Sequence, residues 1–155
     1  MVGKLAIRDV TWADLEEISK LDLMEDDLME VNGMGDTDIP IVLTTSCINS
    51  FNRVCRCFFE VSSGKIIGVY GVTKYDTIWF LSDKLLKKHW KEFVRGTKEE
   101  FKKLTEGVDF AFNYVHWNHK RALRWLRWLG FRRTINFYTF PPKTEKYIKI
   151  EFYKE

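Results

Sequence analysis

Apolar residues recur at alternate positions in some stretches of the chain and at intervals of three or four positions in others. The first spacing is typical of strands, and the second of amphipathic helices. In chain order, the predicted elements are a strand at 5–10, helices at 11–23 and 41–51, strands at 54–61, 66–73 and 78–81, helices at 83–94 and 97–106, a strand at 109–117, a helix at 119–129, and strands at 133–140 and 147–153. The acidic segment 22–38 is predicted to be a loop that contains at most one helical turn.

The three central strands indicate the fold class. They are joined by short turns and are apolar at nearly every position, so we expect helices to cover both faces of their sheet. Helices interspersed with a mixed sheet are typical of an α/β or α+β layered domain. A chain of 155 residues fits one such domain, 1–155, and is long enough to bury a core of its own.

The composition is that of a soluble globular protein, with 45% hydrophobic and 30% charged residues. No apolar run approaches the roughly 20 residues of a membrane-spanning helix, and no signal peptide is recognisable, so we expect a cytoplasmic protein. The cysteines at 47, 55 and 57 have neither a disulfide nor a zinc-site spacing, and we expect them to be small buried side chains.

Charge is distributed unevenly, although the net charge is only +3. The segment 21–38 carries carboxylates and no lysine or arginine, whereas 84–133 is mostly basic. We therefore expect a cationic amine or a basic protein substrate near the acidic segment 22–38, and any anionic ligand near the second half. A solvated loop is the alternative interpretation of the acidic segment.

The segment 118–131 carries the most specific pattern. Its helix has an apolar stripe at positions i, i+3, i+4 and i+7, made of Ala122, Trp125, Leu126 and Leu129. Gly130 is predicted to form a left-handed C-cap, after which Phe131 returns to the core. An asparagine before such a helix, here Asn118, and a Gly-Phe pair after it resemble the GNAT superfamily of acetyl-CoA-dependent N-acetyltransferases. The strand order fits the same superfamily.

Segments 80–83, 88–89, 93–97, 113–115 and 124–131 together resemble a narrower group, a phage-encoded GNAT-like family that includes internal virion protein A of short-tailed phages. The superfamily resemblance implies a mixed, mostly antiparallel sheet with helices on both faces. It also implies an N-acyltransferase in which an amine attacks the thioester of acetyl-CoA directly. The narrower resemblance implies the alternative, a GNAT-fold protein without catalysis that serves in virion assembly or binds phage virion proteins.

The resemblance also places the coenzyme. In GNAT enzymes the fourth and fifth strands diverge and the pantetheine arm enters between them, so Phe80, Leu81, Ser82 and residues 114–117 would line the slot. Asn118 would make a polar contact with the arm. Its alternative role is an N-cap for the helix that follows.

Arg95, Gly96 and Thr97 are the candidates for binding the coenzyme pyrophosphate, since the usual glycine-rich motif of the family is missing. Thr97 and Glu100 form a capping box that predicts a new helix start, where free backbone amides and the helix dipole favour an anion. A joint between two helices, without a ligand, is the alternative interpretation. The 3′-phosphate would have lysines nearby, at Lys84, Lys87, Lys88 and Lys91.

The usual proton donor of the family is missing, because Leu126 occupies the position of the tyrosine that protonates the thiolate in many GNAT enzymes. Tyr114 and His116, on one face of the same predicted strand, are candidate replacements. Asp83 and His89, just beyond the fourth strand, are alternative candidate bases. The alternative interpretations are a core tyrosine for Tyr114, a partly buried structural histidine for His116, a helix cap for Asp83 and a surface residue for His89.

Nucleic-acid binding is not expected. The basic helix 120–128 has two tryptophans that could stack on bases. Trp125 is predicted to face the core, which leaves only Trp128.

Overall fold

The computed structural model describes residues 4–33 and 38–154. The strands are β1 (Leu5–Asp9), β2 (Val54–Glu60), β3 (Ile66–Val72), β4 (Ile78–Ser82), β5 (Phe110–His116), β6 (Arg132–Tyr138) and β7 (Tyr147–Tyr153). The helices are α1 (Leu15–Ser19), α2 (Glu25–Gly33), α3 (Ile39–Ile48), α4 (Trp90–Thr105) and α5 (Lys120–Leu129), with short 3-10 helices at Trp12–Asp14 and Lys84–His89. Each of these helices is too short or too polar to cross a membrane.

The strands form two antiparallel sheets. One has the order β1-β2-β3-β4 and the other the order β5-β7-β6. The sheets meet where β4 and β5 run parallel, at a bridge between Thr77 and Phe112. The side-chain amide of Asn113 reinforces this junction, because its Nδ2 donates a hydrogen bond to the carbonyl of Ile78. The predicted mixed, mostly antiparallel arrangement is confirmed.

Helices cover both faces of the first sheet, as its apolar strands predicted. Every residue of β3 is buried. Ile66 and Val69 pack into one core cluster with Ile18 of α1 and Leu43 of α3, and Ile67 packs into a second cluster beneath α4. Full burial of such aliphatic side chains stabilises a fold by about 1.5–3 kcal/mol each.

The three cysteines are buried and unpaired, which confirms their predicted role as small core side chains. Burial raises the pKa of the Cys57 thiol to about 11. A thiol with so high a pKa is a poor nucleophile at neutral pH.

The prediction of a helix at 11–23 is wrong in its second half. α1 ends at Ser19, and the chain then runs extended beside the end of β4, where Leu23 forms a bridge with Asp83. The amide of Met24 donates to the carbonyl of Ser82 at 3.1 Å. Pairing with a sheet edge satisfies these backbone groups, so the apolar residues after Ser19 are buried without a helix.

The prediction of a loop at 22–38 is also wrong, because α2 spans Glu25–Gly33 within it. Carboxylates at Glu25, Asp26 and Asp27 occupy the first turn, where the helix dipole favours negative charge. The remaining part of the predicted loop, 34–37, lies outside the described residues.

α4 is one continuous helix, so the predicted break at Arg95-Gly96 and the new start at Thr97 are wrong. Phe93, Thr97 and Leu104 all face the core, and this buried stripe runs through the position of the expected break. A glycine inside a helix costs about 1 kcal/mol relative to alanine, less than the burial of one large side chain on the same stripe provides.

α5 and its C-terminus follow the prediction. The helix ends in Gly130, which has a φ of 108°, and the amides of Gly130 and Phe131 donate to carbonyls of the last turn. Phe131 is buried. The N-cap position is held by His119 rather than by Asn118, and the His119 side chain makes no capping hydrogen bond.

Candidate functional site

A cleft separates β4 from β5. Beyond the bridge between Thr77 and Phe112, the described residues of these two strands form no ladder with each other. The space between them has a cavity volume of about 170 Å³. The residues that line it along its length include Ile78, Phe80, Ser82, Phe93, Thr97, Glu100, Asn113, Tyr114, Val115, Ala122, Trp125 and Leu126.

The cleft is narrow and largely apolar. Pockets for drug-sized ligands usually have volumes of roughly 300–1,000 Å³, so this cavity suits a thin extended chain better than a bulky ring system. Phe80, Phe93 and Trp125 narrow it, with ring centroids 5.2 to 5.9 Å apart. Trp125 is held by a hydrogen bond that its Nε1–H donates to Oγ1 of Thr97 at 3.3 Å. Trp125 therefore faces the interior, as predicted.

The first turn of α2 lies across the mouth of the cleft. Asp27 is buried there, and its Oδ2 accepts hydrogen bonds from the amide and the hydroxyl of Ser82, at 3.0 and 3.2 Å. Asp26 lies 3.4 Å from Nε2 of His119, measured from Oδ2. The carboxylates of α2 thus connect the end of β4 to the start of α5.

His119 is a residue that the sequence interpretation did not select. It lines the cleft, and its side chain is 12% exposed. The pairing with Asp26 joins the start of α5 to the predicted loop at 22–38, and no local pattern indicates such a distant contact. The acidic character of the segment around Asp26 was the one available signal.

A hydrogen-bonded network forms part of the cleft lining. Glu100 accepts from the hydroxyl of Tyr70 at 2.8 Å and from the guanidinium of Arg56 at 3.0 Å. Burial and the hydrogen bond to Glu100 raise the pKa of Tyr70 well above its ordinary value. Glu100 therefore does not complete a capping box, and its charge is paired with Arg56.

Two of the candidate catalytic residues lie on one face of β5, as predicted, but only one reaches the cleft. Tyr114 lines the cleft and packs edge-on against Tyr138 and Phe140. His116 is buried outside the lining. Its Nδ1 accepts the amide N–H of Asn118 at 3.2 Å, and its Nε2 lies 3.5 Å from a carboxylate oxygen of Glu145.

Asp83 has the geometry of a helix cap. Its Oδ1 accepts the amide of Leu85 at 2.9 Å, and its Oδ2 accepts the amide of Asp22 at the same distance. Asp83 is buried and lies outside the cleft lining. Both carboxylate oxygens therefore accept hydrogen bonds from backbone amides. This is the role of a helix cap, the alternative interpretation of Asp83 from the sequence.

The candidate coenzyme residues are divided between several places. Phe80 and Ser82 line the cleft, whereas Leu81 packs into the core on the opposite face of the sheet. Asn118 is exposed and lies outside the cleft lining.

The three candidate pyrophosphate residues lie inside α4. Arg95 and Gly96 are on its solvent side, and Thr97 is buried with its hydroxyl donating to the carbonyl of Val94. Amides in the middle of a helix are bonded to carbonyls of the preceding turn, so the expected anion site at a helix start does not form there.

The residues around the cleft fit the arm of acetyl-CoA better than its phosphates. The apolar slot between β4 and β5 suits an extended pantetheine chain. The helix that follows β4 begins with an amide that already donates to Asp83, so a phosphate would need the exposed lysine side chains nearby. These are Lys84, Lys87, Lys88 and Lys91.

Within residues 4–33 and 38–154, no group of three or more carboxylate, histidine and cysteine side chains is placed to hold a metal ion.

The basic side of α5 is partly covered. Trp128 is 47% exposed, and Nζ of Lys98 lies 4.9 Å from the centre of its ring. The cation on the ring occupies the face that a stacked base would need.

The chain matches no protein-family model, and no curated protein matches it. Its structure is similar to those of several acetyltransferases. A putative phosphinothricin N-acetyltransferase has a TM-score of 0.68 at 11% sequence identity, over 98% of this chain and 99% of that one. The ribosomal-protein-S18-alanine N-acetyltransferase from Escherichia coli has a TM-score of 0.67 at 14% identity, over 97% and 94%. An acetyltransferase of the GNAT family from Bacillus anthracis has a TM-score of 0.65 at 12% identity, over 96% and 94%. At such low identity these similarities show the fold, which is that of the GNAT acetyltransferases.

Proposed function

We propose that the protein is an N-acyltransferase that uses acetyl-CoA and acylates an amine. The observation that carries this proposal is the apolar cleft between β4 and β5, where two parallel strands share one bridge and then leave room for a thin chain. The thioester supplies an activated acyl group. An amine can attack it directly, so no serine or cysteine nucleophile is required.

Different residues would bind different parts of acetyl-CoA. Phe80, Val115 and Ala122 line the slot and exclude water from the thioester arm. Low polarity around the reacting carbonyl strengthens every electrostatic interaction there. The lysines after β4 supply positive charge for the phosphates outside the slot.

The acceptor is an amine that arrives as a cation. Glu25, Asp26 and Asp27 occupy the first turn of α2. Asp26 lines the cleft and is 51% exposed. Carboxylates at the entrance raise the local concentration of ammonium groups, so primary alkylamines, polyamines and lysine side chains are the acceptor classes to test.

The experiment is a thiol-release assay with acetyl-CoA and a panel of these amines. We expect thiol release that requires both the amine and the protein, with a weaker response at high salt because the attraction at the mouth is screened. Reactions without amine measure background hydrolysis. A protein that binds no acetyl-CoA at high micromolar concentration, and releases no thiol with any amine, would overturn the proposal.

A second function is favoured by two observations at the same site. Leu126 lines the cleft where many GNAT enzymes place a proton donor, and Asp83 occupies the amide that would otherwise bind a phosphate. Both fit a GNAT-fold protein that has lost catalysis and binds other phage virion proteins in the host cytoplasm or the virion. Absence of coenzyme binding, together with co-sedimentation of the protein with assembled particles, would favour this second function.

A further inference from the structure

His119 is fixed at the mouth of the cleft by its backbone. It is the N-cap residue of α5, its amide donates to the carbonyl of His116 at 2.9 Å, and its carbonyl accepts from Leu123 at 3.1 Å. The imidazole lines the cleft together with Ser82 and Tyr114. Its position therefore does not depend on a mobile loop.

The other two histidines lie outside the cleft lining. The sequence has three histidines. His116 is held between the amide of Asn118 and Glu145, and it lies outside the cleft lining. His89 is buried, with Nε2 2.8 Å from Glu60. His119 is thus the histidine that a ligand in the cleft would meet.

We propose that His119 is the group that removes protons from the acceptor amine, which would make it a catalytic residue. This inference rests on the proposed N-acyltransferase function. An imidazole suits the role because its ordinary pKa, near 6.5, allows it to accept and release protons close to neutral pH.

The proton balance is simple. An alkylammonium loses one proton to the imidazole of His119, which returns it to water. The neutral amine nitrogen then forms a C–N bond with the acyl carbon while the C–S bond breaks, and the second N–H proton leaves through the same imidazole. The thiolate takes up one proton. Each turnover therefore yields an amide and a thiol, and releases one proton to solvent.

Asp26 acts as a positioning residue for His119. Its carboxylate lies 3.4 Å from Nε2 and stabilises the imidazolium that forms when the ring accepts a proton. Asp26 of α2 lies beside this ring, and Asp27, Glu100 and Tyr114 line the same cleft. The carboxylate of Asp26 favours the protonated ring.

The test compares His119→Ala with Lys120→Gln, a change at the exposed neighbouring residue of α5. We expect His119→Ala to lower kcat about 100-fold, within the usual range for general acid–base catalysis, and added imidazole to restore part of the rate. Binding of acetyl-CoA and the unfolding midpoint should match those of Lys120→Gln. Asp26→Asn should move the midpoint of the pH–rate profile to lower pH, because a carboxylate near the ring favours the imidazolium.

A binding measurement without coenzyme separates this inference from the proposed function. The ring signals of three histidines can be followed by NMR while an alkylamine is added. We expect the His119 signals to shift and those of His89 to stay in place. If the wild-type protein is active and His119→Ala has a normal kcat, the proposed role of His119 is overturned and the proposed N-acyltransferase function is not. Equal losses of kcat, coenzyme binding and unfolding midpoint would also overturn it, in favour of a structural link between α2 and α5. Lack of thiol release by the wild-type protein would overturn both proposals.

Discussion

Gly96→Ala tests whether α4 is continuous. Gly96 lies inside the helix on its solvent side, and a Cβ added there would meet no atom within 4 Å apart from the local helix backbone. Alanine is favoured over glycine in a helix interior by about 0.8–1.0 kcal/mol. In a domain of this size, 1 kcal/mol corresponds to about 2–4 °C in Tm. We therefore expect Gly96→Ala to raise Tm by a few degrees, as measured by thermal and urea unfolding.

Gly130→Ala is the matched control, because Gly130 has a φ of 108° and also has open space at the position of a Cβ. The left-handed conformation costs an L-residue roughly 1–2 kcal/mol, so this variant should be destabilised. A loss of stability in Gly96→Ala would refute the continuous helix and favour the break that the sequence predicted at Arg95-Gly96. Weaker acetyl-CoA binding in Gly96→Ala would support the phosphate site that the sequence predicted at this position.

Two further predictions concern partly buried polar contacts. Hydrogen bonds from Arg8 lower the pKa of Asp14 to about 2, below the ordinary 3.8, so this contact stabilises the fold above pH 4 and the benefit is lost as the pH falls toward 2. Asp14→Asn should cost about 1 kcal/mol at pH 7, a value reduced for the exposure of Arg8, and should flatten the acid limb of a plot of urea midpoint against pH. Tyr70→Phe removes the hydroxyl that donates to Glu100 and should cost about 1–2 kcal/mol in urea unfolding, while an unchanged midpoint would show that water replaces the hydroxyl.

The parts of the fold that local sequence determines could be predicted. The end of α5 is the clearest example, since the periodic stripe, Gly130 and Phe131 each act within one or two turns of chain. The apolar strands likewise predicted helices on both faces of the sheet. These features need no knowledge of distant residues.

The sequence predictions that were wrong concern features that depend on contacts between distant segments. The capping-box pattern of Thr97 and Glu100 predicted a helix start, but the buried face of α4 and the pairing of Glu100 with Arg56 and Tyr70 override it. The chain after α1 pairs with the end of β4, a contact between segments about 60 residues apart. The contact between Asp26 and His119 joins residues that are far apart in the chain, so no local pattern could indicate it.

The most direct test of the cleft as the coenzyme site is the binding of acetyl-CoA and of acetyl-pantetheine, which lacks the nucleotide, by calorimetry. Ala122 lines the cleft, and Ala122→Phe would fill part of the 170 Å³ cavity. Ala13→Phe, at an exposed position of the first 3-10 helix, is the control. We expect the wild-type protein and Ala13→Phe to bind both ligands, and Ala122→Phe to remain folded and bind neither. Equal binding by Ala122→Phe, or no binding of either ligand by the wild-type protein, would contradict an acyl-thioester site between β4 and β5.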